Sequence, residues 1–417
     1  MNEAGETKKT SMRVLVVSQY FWPESFRINE LVQSLVERGV IVDVLTGKPN
    51  YPEGKIYPGY QAAGCVCEFW HGANIFRVPL FPRGFRSVAR LFFNYLSFIF
   101  SGAIVGTWQL RNTKTDVIFV YAPSPLMQAL PALFIGWIKR IPVVVYVQDL
   151  WPESLTATGY VRNPLFIRMV ELLVKLIYRR SDLILVSSLP FKGFIERLSP
   201  SAEIVYYPNS VDVSFCDPDS GLKPDVPALD EGFCVVFAGN VGAAQAVHII
   251  AEAAARLRGH GDIRLVLLGA GSELEWMRAR IAELRLGNLF LAGRFPVEAM
   301  PNLLSRADVL LVTLADQPIF AATVPNKIQA YMAVGRPIIA SMNGEGARLV
   351  QEAGAGVSVP AEDGAALADA ILKLHSMSAV DRDRLGENGR RYYRQHFDHD
   401  QLVDELIGHL SKVMKVK

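Results

Sequence analysis

Short apolar runs of strand length alternate with amphipathic helical segments along almost the whole chain, and the alternation stops once and starts again. Arg13–Ser18 reads as a buried strand. Asn29–Arg38 sets Leu31, Val32, Leu35 and Val36 on one helical face, and Gly39 ends that helix before the strand run Val40–Leu45. Further strand runs fall near Ile75–Val78 and at Val117–Tyr121, Val143–Val147, Leu183–Ser187 and Ile204–Tyr207. Repeated β-α alternation predicts a parallel sheet covered by helices on both faces.

The break is Phe215–Gly232, rich in Pro, Asp and Gly. After it come strand runs at Phe233–Ala238, Arg264–Leu268, Leu289–Ala292, Val309–Leu314, Arg336–Ala340 and Gly356–Val359, with a helix at Val247–Arg256. At 417 residues the chain is too long for one core. The expectation is an α/β protein of two doubly wound, Rossmann-like domains facing a central cleft, with ligands at the carboxyl ends of the strands. Residues 1–11 read as a disordered polar extension without the apolar region of a signal peptide. Residues 12–215 form the first domain, 216–232 a linker, 233–395 the second domain and 396–417 a terminal helix.

Half the residues are hydrophobic and a fifth charged, which suits large cores and argues against disorder. The net charge of +2 is unevenly spread. Residues 1–215 hold 22 Lys and Arg against 16 Asp and Glu, and the remainder 21 against 25, so the first domain is the one an anionic surface attracts. Cys65, Cys67, Cys216 and Cys234 lack metal-site spacing and fit a reducing compartment, so no metal is expected.

Chemistry-bearing residues collect in loops after strands. Glu24 and Arg27 follow the first strand, and Asp149 and Glu153 follow Val143–Val147. Glu24 and Glu153 each precede a Ser and can also be read as helix-capping groups. Asp149 is harder to explain so, because it comes directly after a buried strand where an unpaired charge is costly. Gly239, Asn240 and Gly242 close the first strand of the second domain, in a spacing that is not the dinucleotide fingerprint, and no acidic residue ends the following strand. A dehydrogenase is therefore not expected. Gly269-Ala270-Gly271 and Gly293-Arg294 repeat the glycine theme. Pro325–Pro337 reads as a loop, a helix and a turn into the next strand, with Lys327 where the helix begins. Free N–H groups, partial positive charge and a lysine there make a seat for phosphate.

Together, Tyr20-x-x-Pro23-Glu24, Pro49-Asn-Tyr-Pro-x-Gly54 with Gly59-Tyr60, Asp149-Leu-Trp-Pro-Glu-Ser154, Pro208-Asn-Ser-Val-Asp212, Ala238-Gly-Asn240 and Pro325-x-Lys327 with Tyr331-Met-Ala-x-Gly-x-Pro337 carry a resemblance. From about Met12 to Asp398 the chain resembles the family 4 glycosyltransferases of the GT-B fold, in the bacterial surface-polysaccharide branch that includes N-acetyl-L-fucosamine transferases. The resemblance implies a nucleotide-sugar donor in the second domain, an acceptor in the first, retention of anomeric configuration, and no required metal or cofactor. It also implies that the terminal helix, amphipathic over Gln401–Val413, returns to the first domain.

Two departures from the family pattern stand out. In the register of Gly335 and Pro337, the usual two Glu are Ala322 and Ala330, and the Arg and Lys usual near the first glycine loop are Asn240 and Gln245. Phosphate binding then falls to Lys327, with Arg294 as a second candidate, although Lys327 can also be read as a solvated helix-start residue. Glu345, after the next strand, is a replacement sugar-binding carboxylate or simply a turn residue between glycines.

Leu91–Leu110 carries no charge over 20 residues and is flanked by Arg83, Arg86 and Arg90 on one side and Arg111 and Lys114 on the other. Its length permits a membrane span, yet it falls inside the β-α alternation. A core helix, a span and a helix at the bilayer interface all stay open, with Phe92, Phe93, Phe98 and Phe100 at the acyl boundary in the last case.

The resulting expectation is a cytoplasmic glycosyltransferase, peripheral or monotopic on the inner face of the cytoplasmic membrane. It moves a sugar, an N-acetylated deoxyhexosamine, from a UDP-sugar to a lipid-pyrophosphate-linked saccharide. Asp149 and Glu153 orient or deprotonate the acceptor, Lys327 assists departure of the diphosphate, and Glu24, Arg27 and Tyr51 line the cleft. No nucleic-acid partner is expected. The rivals are an epimerase or hydrolase of the same fold and a catalytically silent scaffold that binds nucleotide sugars.

Overall fold

A computed structural model describes residues 11–84, 87–157, 163–219 and 221–416. The chain divides into two compact units. The first runs up to Ser187 and adds Lys192–Tyr207 and the tail from Asp400; the second is Ser188–Phe191 with Pro208–His399.

The first unit opens with β1 (Arg13–Val17), α1 (Ile28–Glu37), β2 (Ile41–Thr46), β3 (Val66–Trp70) and β4 (Ala73–Arg77). Helix α2 (Val88–Ser101) passes through a π-helical turn at Gly102–Gly106 into the short α3 (Thr107–Gln109). Then come β5 (Val117–Ala122), α4 (Ala129–Lys139), β6 (Val143–Val147), α5 (Glu153–Ala157), α6 (Pro164–Arg180), β7 (Leu183–Val186), α7 (Phe191–Leu198) and β8 (Ile204–Tyr206). The sheet order is β3-β4-β2-β1-β5-β6-β7-β8, parallel except for the edge strand β3. Val-rich strands such as β5 and β6 are buried on both faces, which is why they lack polar alternation. Strand β3 was not legible: it alternates half-buried and exposed residues, and a tight turn at His71-Gly72, both with positive φ, joins it to β4.

The second unit holds β9 (Phe233–Ala238), α8 (His248–Arg256), β10 (Ile263–Leu268), α9 (Leu274–Leu284), β11 (Leu289–Gly293), α10 (Met300–Ser305) and β12 (Val309–Thr313). It continues with α11 (Pro318–Ala322), α12 (Asn326–Val334), β13 (Ile338–Ser341), α13 (Glu345–Glu352), β14 (Gly356–Val359), α14 (Gly364–Ser376) and α15 (Ala379–His396). Its sheet is wholly parallel in the order β11-β10-β9-β12-β13-β14. That is the doubly wound order, whose direction reverses between β9 and β12.

The boundary differs from the sequence reading. The first unit ends at Tyr207, and residues 216–232 belong to the second. That segment is no free linker, because Val226 and Leu229 enter the second core beside Phe215, and Arg306 donates hydrogen bonds to the Pro224 and Val226 carbonyls. The last helix, α16 (His399–Val416), places Leu402, Val403, Leu406, Leu410 and Val413 in the core of the first unit, while Arg38 pairs with Asp400 and Asp404.

The uncharged stretch from Leu91 lies against the first unit by one stripe only. Asn94, Phe98, Gly102, Gly106 and Leu110 are buried at a spacing of four residues. A 3.6-residue helix cannot keep such a stripe on one side, and the extra residue of the π turn brings it back into line. A Cβ on Gly102 would meet Pro131 at 3.0 Å and one on Gly106 would meet Leu45 at 2.9 Å, so these glycines let the helix close onto α4 and β2. Lys139 donates to the carbonyls of Leu110 and of Thr113, the latter at 2.9 Å, and satisfies the helix end. The opposite side, with Phe92, Phe93, Phe100, Ile104 and Trp108, is exposed, so of the four phenylalanines expected at a membrane Phe98 is instead packed in the core stripe.

Candidate active site

In the second unit the chemistry gathers at the carboxyl end of β9. Helix α12 begins at Asn326 with Pro325 as its N-cap; the Ile328 amide donates to the Pro325 carbonyl at 2.9 Å, and no side chain caps the amides of Asn326 and Lys327. Lys327 reaches from this first turn over the Phe237 ring, its Nζ 3.7 Å from the centroid. That ammonium is buried and has no hydrogen-bond partner among the described residues. Burial alone pulls its pKa down to about 7. Gly239 (φ +132°) makes room, since a Cβ there would lie 2.6 Å from Lys327 Cε. A buried cation beside an open helix start, without a counter-charge, is a site for a dense anion.

The rest of the loop is neutral. Asn240 donates to the Gln245 side chain at 2.9 Å, so the two residues that replace the family's Arg and Lys satisfy each other across Gly242. The later glycines have a plainer role than ligand approach. A Cβ on Gly269 would lie 1.8 Å from the Gly239 carbonyl, and one on Gly271 would lie 2.2 Å from that of Val241. They let the loops after β9 and β10 stack on each other.

Arg294 is exposed after the edge strand β11, two strands from β9. Glu345 opens α13 and is buried, with its carboxylate held by Arg348 at 2.8 and 2.7 Å. A sugar ligand would have to share it with that guanidinium. Ala322 and Ala330 are buried, and Ala330 belongs to the apolar core. Beside it, Gln329 was missed by the sequence reading; its buried amide oxygen has no partner among the described residues.

In the first unit, Glu24 does not line an open surface. It is buried and accepts from the amides of Asn50 (2.7 Å), Tyr51 (2.6 Å) and Phe21 (3.3 Å). Burial raises its pKa to about 7, with the amide hydrogen bonds opposing the rise. Glu24 is the post that ties the loop after β2 to the loop after β1. Gln19, Asn94 and Asn50 continue this web: Gln19 donates to Asn94 at 2.7 Å, and Asn50 accepts from the Arg83 amide at 3.1 Å. Glu24→Ala leaves the Asn50 and Tyr51 amides without their acceptor, so the fold is expected to lose about 2 kcal/mol in chemical denaturation.

The loop so held presents an aromatic group. Tyr51 is exposed, with Phe26 at 5.1 Å, Tyr20 at 5.7 Å and the Arg83 guanidinium 4.9 Å from its ring centre. Arg27 is half-buried at the start of α1. Asp149 lies in the loop just after β6 and accepts from the Ser154 hydroxyl. Burial raises its pKa to about 6 against the pull of hydrogen bonds from Ser154, Ser124 and the Leu150 amide. Tyr95 on α2 lies close enough to Asp149 and Arg83 for both charges to act on its hydroxyl. The structure thus brings Asp149, Arg83 and Tyr51 together with Tyr20 and Tyr95, neither of which sequence reasoning assigned to the site. Glu153 stands half-buried at the start of α5, on the Tyr178 side of Asp149. Arg90 lies over the Phe81 ring at 5.7 Å, and Phe92 and Phe93 are exposed beside it. Arg86 lies outside the described residues.

Two doubly wound units, one with the strand order 3-2-1-4-5-6, are the architecture of the GT-B fold. Residues 25–210 match the Glycosyl transferase 4-like domain and residues 232–377 the Glycosyl transferases group 1 model. The chain thus belongs to the glycosyltransferases, with both domains of the pair. It is 23% identical over 337 residues to WcaI of Escherichia coli strain K12, named as a glycosyl transferase of colanic acid biosynthesis, covering 78% of this chain and 82% of WcaI. Among solved structures, sucrose-phosphate synthase of Thermosynechococcus elongatus matches with a TM-score of 0.73 at 17% identity, over 97% of this chain and all of that one. HepE of Anabaena, solved in complex with UDP, matches with a TM-score of 0.67 at 15% identity, over 96% of this chain and all of HepE.

Proposed function

We propose that this protein transfers a sugar from a UDP-linked donor to a lipid-pyrophosphate-linked saccharide in the synthesis of a bacterial surface polysaccharide such as O-antigen, capsule or exopolysaccharide. The sugar is an N-acetylated deoxyhexosamine such as N-acetyl-L-fucosamine. The observation that carries the reading is Lys327, a buried ammonium with no counter-charge under an open helix start and beside a glycine that clears its path. The complex of HepE with UDP and the naming of WcaI support the donor class and the pathway class.

In this reading the bond between the sugar C1 and the diphosphate oxygen breaks while the acceptor hydroxyl oxygen bonds to C1 with retention of configuration, without a metal. Negative charge builds on the departing diphosphate, and Lys327 with the first amides of α12 stabilises it. Asp149 orients the acceptor hydroxyl and takes its proton. Glu153 supports it electrostatically, and Tyr51 with Arg27 and Arg83 receives the acceptor's saccharide and phosphates. Arg294 and Glu345 are assigned to the outer phosphate and the sugar. Arg83, Arg90, Phe92 and Phe93 hold the enzyme on the inner face of the cytoplasmic membrane, where a lipid-linked acceptor resides.

A second reading, a silent scaffold for nucleotide sugars, is favoured by the apolar surroundings of Ala330. UDP release from UDP-sugars separates the readings. Release that requires the lipid-linked acceptor is expected; release without acceptor would indicate a hydrolase or epimerase, and none with any donor would indicate a scaffold.

A further inference from the structure

Helix α6 carries a surface that the sugar-transfer chemistry does not use. Leu165, Met169, Leu172 and Leu176 recur at i, i+4, i+7 and i+11 and are 78, 47, 62 and 44% exposed. The opposite side, Val170, Val174, Ile177 and Tyr178, is buried. A helix that has already buried one apolar face has no folding reason for a second, solvent-facing one. Arg168, Arg179 and Arg180 flank this outer stripe and are exposed, with Lys175 half-buried among them and Glu171 the sole acid on the helix.

The stripe is continuous with the apolar side of α2. Phe166 of α6 lies 6.3 Å from Phe92, and α4, which adjoins both helices, exposes Trp137 and Ile138. At the far end of α3, Arg111 covers the Trp108 ring at 4.4 Å, an aromatic and cation pair suited to a headgroup region. Large exposed apolar side chains on adjoining helices, edged by arginines, fit the acyl boundary and the phosphates of an anionic bilayer. A folded protein partner of ordinary surface would have to answer this rim with matching acids along the whole helix.

We propose that α6 is a second membrane arm, which inserts Leu165, Met169, Leu172 and Leu176 at the bilayer interface and reads anionic lipid through Arg168, Lys175 and Arg179. It deepens the membrane part of the proposed function and rests on it. With α2 as the first arm, two helices joined through α4 fix the orientation of the first unit on the membrane, which a single amphipathic helix does not.

The test is sedimentation of the full chain with phosphatidylcholine vesicles with and without phosphatidylglycerol. The wild type is expected to bind the anionic vesicles, and the triple variant R168Q/K175Q/R179Q to bind them on the order of a hundredfold more weakly, since each basic residue near an anionic surface contributes roughly fivefold. L165Q/L172Q is expected to weaken binding to both vesicle types. All these positions are exposed or half-exposed, so unchanged thermal unfolding is expected for both variants. Wild-type binding by the triple variant, with loss in F92S/F93S, would confine docking to α2 and overturn the second arm while leaving the membrane reading. No sedimentation of the wild type with either vesicle would overturn both. A concentration-dependent dimer that is lost in L165Q/L172Q would assign the stripe to a second copy and overturn the lipid assignment.

Discussion

Lys327→Met is expected to cut transfer by at least about 100-fold while making the protein more stable. The activity loss follows from removing one buried cation from developing diphosphate charge, an effect worth roughly 3 kcal/mol in water-excluded sites. The gain in stability follows from the sign of the pKa shift. Burial lowers the folded-state pKa of Lys327 to about 7, far below the usual lysine value, so between these values the unfolded chain binds the extra proton. Stability therefore rises with pH from about 7 to about 10, and the penalty is fully present below 7. Methionine fills similar space without charge, so at pH 6 the variant is expected to unfold later by ~3 kcal/mol. A diphosphate supplies the missing counter-charge and raises the lysine pKa, so UDP binding takes up a proton near pH 8. Affinity then weakens as pH rises above 7, and this pH dependence vanishes in the variant. Turnover within a few-fold of wild type would refute the assignment.

Asp149→Asn is the second large effect, expected to lower kcat/KM by about 10²- to 10³-fold with little change in donor affinity. The folded pKa of Asp149 is raised to about 6 by burial. The active carboxylate is therefore lost as pH falls through 6, and wild-type turnover should fall on that limb. Asparagine removes the limb as well as most of the rate. The linkage has the opposite consequence for folding: the native state holds the proton more tightly between about 4 and 6, so stability is greatest below 4 and declines as pH rises through 6. At pH 8 the asparagine variant should exceed wild type by on the order of 2 kcal/mol. A rate loss of less than threefold, or an unchanged acid limb, would remove Asp149 from the chemistry.

Both variants share a physical pattern, an ionisable group held against its preference. That pattern is what sequence could not show. The apolar runs of β1, β5, β6 and β9 were legible because strands covered on both faces need no polar alternation. Edge strand β3 was not, because half its residues face solvent and its pairing depends on a two-residue turn. Lys327 could be placed at a helix start from Pro325 and the following helix pattern, yet its burial over Phe237 depends on β9, some ninety residues earlier. Glu24 was read as a lining residue because it shares with Arg27 the loop after the first strand, just before a helix. Its actual partners, the amides of Asn50 and Tyr51, come from a different strand's loop and leave no trace in local spacing. The glycines at 269 and 271 carried the opposite error, since a ligand-cradling loop and a loop stacked on its neighbour require the same residue. Tyr95 escaped notice because aromatic residues at helical spacing usually report core, and Tyr20 was quoted only as part of a family motif, with no role in the site.

The exposed stripe of α6 belongs to the same class of hidden information. Leu165, Met169, Leu172 and Leu176 were assigned no role from sequence, and their helical spacing alone does not tell an outer stripe from a core-facing one; the burial of Val170, Val174 and Ile177 shows that the core lies on the other side.

The most direct test of the central claim, that α12 and Lys327 seat the diphosphate of a UDP-linked donor, is a calorimetric titration of the full chain with UDP, UMP and uridine at pH 7. Affinity should rise steeply from uridine to UDP, and Lys327→Met should erase most of the difference between UDP and UMP. Equal binding of uridine and UDP, or UDP binding unchanged in the variant, would contradict it.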